Sequence, residues 1–176
     1  KKKYIVYIFD IKKSKFLSKK QKMIIGDIND LKKVKNAVRN MSYIFNFAGV
    51  SDIDEANINP LKTISSNIIG LTNIMESAKN EKKLKQIIFA SSIYARSKHG
   101  GFYSTTKRAC ESILENYKKK YNIKYLILRF GSLYGERANH FNTINNFIHE
   151  ALTKKTITRK SHGKEIRNYI NVKDAS

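Results

Sequence analysis

Short apolar runs alternate with longer stretches whose apolar residues recur every three or four positions, and this pattern predicts strands followed by helices. Residues 4–9, Tyr-Ile-Val-Tyr-Ile-Phe, form a β-branched and aromatic run ending at Asp10 and read as a buried strand. Residues 23–25 give a second short strand running into Gly26-Asp27-Ile28. Asp30 is placed to N-cap a helix to about Arg39, with Leu31, Val34 and Val38 on one face. A third strand, 43–47, carries the sequence Asn46-Phe47-Ala48-Gly49 at its end. Asn59-Pro60 opens a longer helix to about Lys79, since proline is tolerated in a first turn. Residues 84–90 predict a fourth strand that ends at Ser91-Ser92. From 102 to about 120 the spacing of Tyr103, Thr106, Lys107, Cys110, Ile113, Leu114 and Tyr117 predicts a helix. Residues 125–128 give a fifth strand, followed by Arg129-Phe130-Gly131, and 143–152 a further helix.

Short buried strands alternating with helices imply right-handed crossovers, hence an α/β fold with a doubly wound parallel sheet. No Pro/Gly/Ser-rich linker divides residues 1–176, and no internal repeat is visible, so the pattern predicts one domain.

Composition narrows the picture. A chain of 176 residues with 41% hydrophobic content can build a real core. No apolar run approaches the ~20 residues of a membrane span, and the lysine-rich start lacks the apolar stretch of a signal peptide. The single cysteine, Cys110, excludes an internal disulfide framework, fits a reducing cytoplasm and sits at core spacing. Four histidines (His99, His140, His149, His162) show no metal-ligand spacing, so no metal is expected. A formal charge of +21 invites a nucleic-acid reading. The lysines, however, are spread along the whole chain and arginine is scarce, so a lysine-coated enzyme with no nucleic-acid partner accounts better for the charge.

The sharpest candidate chemistry is Ser92 at a strand end with Tyr103 and Lys107 on the following helix. The i, i+4 spacing puts Tyr103 and Lys107 on one helical face. An ammonium beside a phenol favours the phenolate and lowers its pKa, which suits proton transfer, and Ser92 could orient the reacting oxygen. Such a Tyr/Lys spacing often arises by chance, and alone it reads as a core tyrosine and a solvated lysine.

The surroundings of this trio resemble the extended short-chain dehydrogenase/reductase family, also called the NAD-dependent epimerase/dehydratase family, which modifies nucleotide-activated sugars. Gly26-Asp27-Ile28 is similar to the family's G-D-[ILV] turn, and Asn46-Phe47-Ala48-Gly49 to its cofactor loop. Asn59-Pro60 with Asn67-Ile-Ile-Gly70-Leu-Thr-Asn73 resembles D-P-x6-N-V-x-G-T-x-N. Phe89-Ala-Ser-Ser92 and Tyr103-Ser-Thr-Thr-Lys107 resemble the catalytic segments. Leu128-Arg129 through Tyr134-Gly135 is similar to L-R-x4-Y-G, and Arg167-Asn-Tyr-Ile-Asn-Val-Lys-Asp174 to R-D-[YF]-I-H-V-x-D. The resemblance covers nearly the whole chain, in order.

It departs from the family in several places. The loop from Ser92 to Tyr103 is short, Asn168 and Asn171 replace an aspartate and a histidine, and Phe130-Gly131-Ser132 replaces the usual aromatic-Asn pair near the nicotinamide.

The resemblance implies an NAD-dependent nucleotide-sugar epimerase-like oxidoreductase with a Rossmann-like fold. Tyr103 would be the acid/base, Lys107 its partner and ribose ligand, and Ser92 a substrate ligand. Cofactor contacts would come from Asp10, Asp27, Ile28, Phe47, Ala48, Gly49, Asn67, Tyr103, Lys107 and Phe130. Substrate contacts would come from Ser92, Asn142 and Arg167. Asp10 at its strand tip would accept the adenosine ribose hydroxyls, which favours NAD over NADP. The resemblance further implies a partial domain that lacks the first strand and glycine-rich turn, with the substrate region beginning at about 136–176. It implies a cytoplasmic homodimer when full length. A nucleotide-sugar 4,6-dehydratase or reductase is the alternative enzyme. A dehydratase places an Asp-Glu pair after the Ser/Thr, where this chain has Ile93-Tyr94. A non-catalytic nucleotide-sensing module is the alternative of another class, and retention of Tyr103 and Lys107 argues against it.

Overall fold

The computed structural model describes residues 4–139, 142–159, 162–164 and 166–176. His140 therefore lies outside the described residues. The chain forms two compact units, Lys1–Arg129 and Phe130–Ser176. The division falls ahead of residue 136, where the family resemblance put the start of a substrate region.

In the first unit, strand β1 (Val6–Asp10) pairs in parallel with β2 (Gln21–Ile25), in the register Val6 to Gln21 and Asp10 to Ile25. Helix α1 (Leu31–Val38) follows, capped as expected by Asp30, whose carboxylate accepts from the Lys33 amide at 3.0 Å. Val34 and Val38 are buried, whereas Leu31, expected on the same face, is 47% exposed. Leu31 stands at the first position of the helix, next to the cap.

Strand β3 (Tyr43–Asn46) pairs in parallel with β4 (Gln86–Ser92), and β5 (Tyr125–Phe130) completes the order β3-β4-β5. β4 is the most buried strand. Ile87, Ile88 and Phe89 join Leu71, Met75, Cys110 and Leu114 in the core, and Cys110 is buried as expected. The expectation of uniformly buried strands fails at β1 and β3. Val6 is 44% and Phe45 60% exposed, because each strand presents an edge with no hydrogen-bonded neighbour among the described residues.

Two of the helical features that were not anticipated lie between β3 and β4. A helix over Ile53–Ile58 (α2) is capped by Asp52, with Asp54 and Glu55 in its first turn where they complement the helix dipole. The expected long helix from Pro60 is interrupted: α3 (Pro60–Ile64) passes through a π turn at Ser65–Ile69 before continuing as α4 (Gly70–Ala78). Helix α5 (Gly101–Tyr121) is the longest element and lays Tyr103, Thr106, Lys107, Cys110, Glu111 and Leu114 on its buried face.

In the second unit, β6 (Ser132–Tyr134) pairs in parallel with β7 (Tyr169–Asn171). Helix α6 (Thr143–Lys154) lies between them in sequence, and a short α7 (Val172–Ala175) follows. No helix among the described residues is long and apolar enough to cross a membrane.

Candidate active site

β4 delivers Ser92 at its carboxyl end, and a short 3-10 turn over Ile93–Arg96 leads the chain toward α5. The Ser92 hydroxyl accepts from the Tyr94 amide at 3.2 Å and so starts that turn. Gly100 and Gly101, with φ +100° and +52°, swing the backbone into α5. A side chain at Gly101 would overlap the Asn57 amide, whose Oδ1 accepts from the Phe102 N–H at 3.0 Å.

Tyr103 and Lys107 then face β4 from successive turns of α5. All three candidates are buried: Ser92 is 6%, Tyr103 9% and Lys107 7% exposed. The solvated-lysine reading of Lys107 is therefore excluded. Tyr103 packs against Val50 and Ala56, with Ile53 and Tyr94 at the margin, and its ring meets Tyr94 edge-on at 6.5 Å. The unanticipated helix α2 thus supplies part of the wall around the phenol.

The electrostatics differ from expectation. The Lys107 ammonium donates to the Ala90 carbonyl at 2.8 Å and lies over the Phe89 and Tyr103 rings, 5.0 and 5.8 Å from their centroids. It does not bond to the phenol oxygen. Burial pushes the Tyr103 phenol above its ordinary pKa of 10.0, and the hydrogen bond with Ser92 only partly opposes this. Burial likewise lowers Lys107 from 10.5. In this state the phenol is held protonated, so the expected lowering by the ammonium is not present.

The remaining candidates of the first unit gather at carboxyl ends of parallel strands, where open α/β sheets bind ligands. Asp10 ends β1, exposed, its carboxylate accepting from the Lys12 amide at 3.0 Å. Asp27 follows β2, exposed, and accepts from the Asn29 amide at 2.8 Å. Ile28 is instead buried in the core and packs beneath Gly70, so its side chain does not join Asp27 at the surface. Phe47, Ala48 and Gly49 form an exposed loop after β3, shaped by Asn46, whose buried Oδ1 accepts from the Ala48 amide at 3.1 Å. Gly49 has φ +141°, and a side chain there would overlap the Asn67 amide.

Asn67 sits in the π turn, buried, with its amide committed inside the protein. Oδ1 accepts from the Val50 N–H at 2.8 Å, and Nδ2 donates to the Val50 carbonyl at 3.3 Å and to Thr106 Oγ1 at 3.0 Å. It ties the loop after β3 to α5. Its carbonyl accepts from Cys110 Sγ at 3.2 Å.

In the second unit, Asn142 serves as the N-cap of α6, accepting from the Asn145 amide at 3.0 Å and donating to the Leu133 carbonyl at 2.6 Å. Its side chain is therefore engaged within this unit. Phe130 is half-buried, and Arg167 is exposed just ahead of β7.

One residue escaped the sequence reading. Glu111, a turn beyond Lys107, is 7% exposed and receives the Ser91 hydroxyl at 2.6 Å. Arg129 donates to the same carboxylate through Nε at 2.9 Å and Nη2 at 2.6 Å. The i, i+4 spacing of Glu111 from Lys107 was the signal the sequence carried.

The chain as a whole has known counterparts. A sequence profile of the NAD dependent epimerase/dehydratase family matches residues 1–176. The chain belongs to that family. It is 31% identical over 141 residues to UDP-glucuronate 4-epimerase 6 of Arabidopsis thaliana, an overlap of 70% of this chain and 30% of that one. A crystal structure of the UDP-glucose 4-epimerase of Thermotoga maritima with UDP-glucose superposes with a TM-score of 0.89 at 22% identity, covering 98% of this chain and 63% of the other. The UDP-glucose 4-epimerase of Thermus thermophilus, in complex with NAD, gives 0.83 at 23% identity and covers 97% and 63%. The chain spans less than two thirds of the length of these proteins. Its fold is α/β with parallel strand pairing, that of the Rossmann-type epimerases.

Proposed function

We propose that the chain carries the catalytic residues of an NAD-dependent nucleotide-sugar epimerase. The observation that carries this reading is the joint burial of Ser92, Tyr103 and Lys107 where β4 meets α5. Tyr103 exchanges a proton with a sugar hydroxyl, and Ser92 holds that oxygen toward the phenol. NAD, when bound, would supply the hydride acceptor. Lys107 Nζ has donors beyond the one spent on Ala90, enough to hold a ribose hydroxyl as well.

The strand-end groups fit a dinucleotide. Asp10 offers a carboxylate to an adenosine ribose, Asp27 stands beside it in sequence order at the next strand end, and the Phe47–Ala48–Gly49 loop presents open backbone. The Asp10 charge repels a 2′-phosphate, which supports NAD over NADP. Ile93 and Tyr94 follow Ser92 where water elimination would need acidic groups, and this supports epimerisation over dehydration. Arg167 is the candidate for the substrate diphosphate. The reading also carries a homodimer for the whole protein, and a reducing cytoplasm that leaves the buried Cys110 thiol free.

Incubating the whole protein with NAD and, separately, UDP-glucose, UDP-glucuronate and dTDP-glucose tests the reading. Formation of a C4 epimer supports it. Release of a 4-keto-6-deoxy product in place of an epimer would assign a dehydratase.

A further inference from the structure

The buried face of α5 meets β4 as a ladder. Ser92 lies near enough to Tyr103 to oppose the rise in the phenol pKa, Lys107 donates to the Ala90 carbonyl, and Glu111 accepts from the Ser91 hydroxyl. These rungs fall at i, i+4 and i+8, one per turn. The Glu111 rung is tied to β5 as well, through the two-pronged contact from Arg129. Arg96, from the 3-10 turn, adds a second positive charge facing the carboxylate.

We propose that Glu111 is a positioning residue for the reaction: by clamping Ser91 and Arg129 it fixes β4 against α5 and thereby sets the spacing between Ser92 and Tyr103. The inference rests on the proposed Tyr103 chemistry. A buried carboxylate is costly unless well paired, and this one is paired on both oxygens with short, directional bonds. Ser91 is the immediate neighbour of Ser92, so any slack at the clamp passes directly to the substrate-orienting hydroxyl. Geometry at the reacting atoms is steeply rate-determining, since a displacement near 1 Å can cost about a hundredfold.

Two variants of the whole protein separate positioning from mere stabilisation. Ser91→Ala keeps the Glu111–Arg129 pair and removes only the link to β4, whereas Glu111→Gln weakens both contacts while preserving shape. Each should lower kcat by about tenfold or more, leave NAD affinity and KM unchanged, and move the Tyr103-dependent limb of the pH–rate profile upward, because the Ser92 hydrogen bond that lowers the phenol pKa is loosened. A purely structural role predicts lower thermal stability with kcat and the pH limb unaltered in Ser91→Ala, and that result overturns the proposal. Tyr103→Phe is run alongside: if it retains turnover, the underlying mechanism is wrong. If it loses turnover while Ser91→Ala does not, only the role of Glu111 is wrong.

Discussion

The Lys107 ammonium is bonded to the Ala90 carbonyl at 2.8 Å, and its approach to Tyr103 is over the ring, 5.8 Å from the centroid, not to the phenol oxygen. Lysine and tyrosine are thus neighbours on one helical face without being a bonded acid/base pair. Lys107 holds its ammonium over the Tyr103 ring at the cost of its own desolvation. Lys107→Met should therefore abolish turnover and weaken NAD binding, yet leave the melting temperature equal or higher at neutral pH. Differential scanning calorimetry beside an NAD titration checks both halves.

The buried lysine also has a pH signature. Its folded pKa is lowered from 10.5, so below pH 10.5 the unfolded chain binds more protons at this site. Stability contributed by this site should rise as pH climbs from the folded value toward 10.5, and Lys107→Met should flatten that rise. Urea unfolding at a series of alkaline pH values measures the slope.

Glu111 predicts the opposite end of the range. Burial raises its pKa, but the Arg129 and Ser91 hydrogen bonds outweigh burial and hold it below 4.5. Its contribution is fully present above about pH 4.5 and is lost as pH falls through the lower folded value. Glu111→Gln should reduce stability at neutral pH and show a smaller further loss on acidification than the parent protein. Urea midpoints between neutral and strongly acidic pH decide this.

Cofactor choice follows from Asp10. Its exposed carboxylate at the tip of β1 should make NAD bind more tightly than NADP, and Asp10→Asn should narrow the gap mainly by improving NADP. Lys12 and Lys13 nearby in sequence limit the size of the preference. Titration calorimetry with both cofactors on the whole protein provides the comparison.

Most of this fold was legible because its strongest elements obey simple periodicity. The i, i+3, i+4 spacing along α5 placed Tyr103, Lys107 and Cys110 on the buried face, and Asp30 marked the start of α1. What was missed depends on tertiary context. Helix α2 is only one and a half turns long and has little apolar periodicity, although Asp52 with Glu55 was a usable capping signal. The π turn at Asn67 leaves no trace in residue spacing, since it is fixed by contacts to Val50 and Thr106. Sequence spacing also did not show that Ile28 packs into the core or that Asn142 caps α6, since both placements depend on tertiary contacts. Glu111 was hidden because its partners, Ser91 and Arg129, lie on separate strands.

In the proposed reaction Tyr103 moves the proton. Tyr103→Phe deletes one oxygen from a side chain that is 9% exposed and already packed against Val50 and Ala56, so shape and cofactor binding should survive. Single-turnover rates of the parent and variant whole proteins, with NAD and the substrate identified by the epimerase assay, read the step directly. The variant rate should be lower by roughly 10²- to 10⁴-fold, with NAD affinity unchanged. A Tyr103→Phe protein turning over at the parent rate would contradict it.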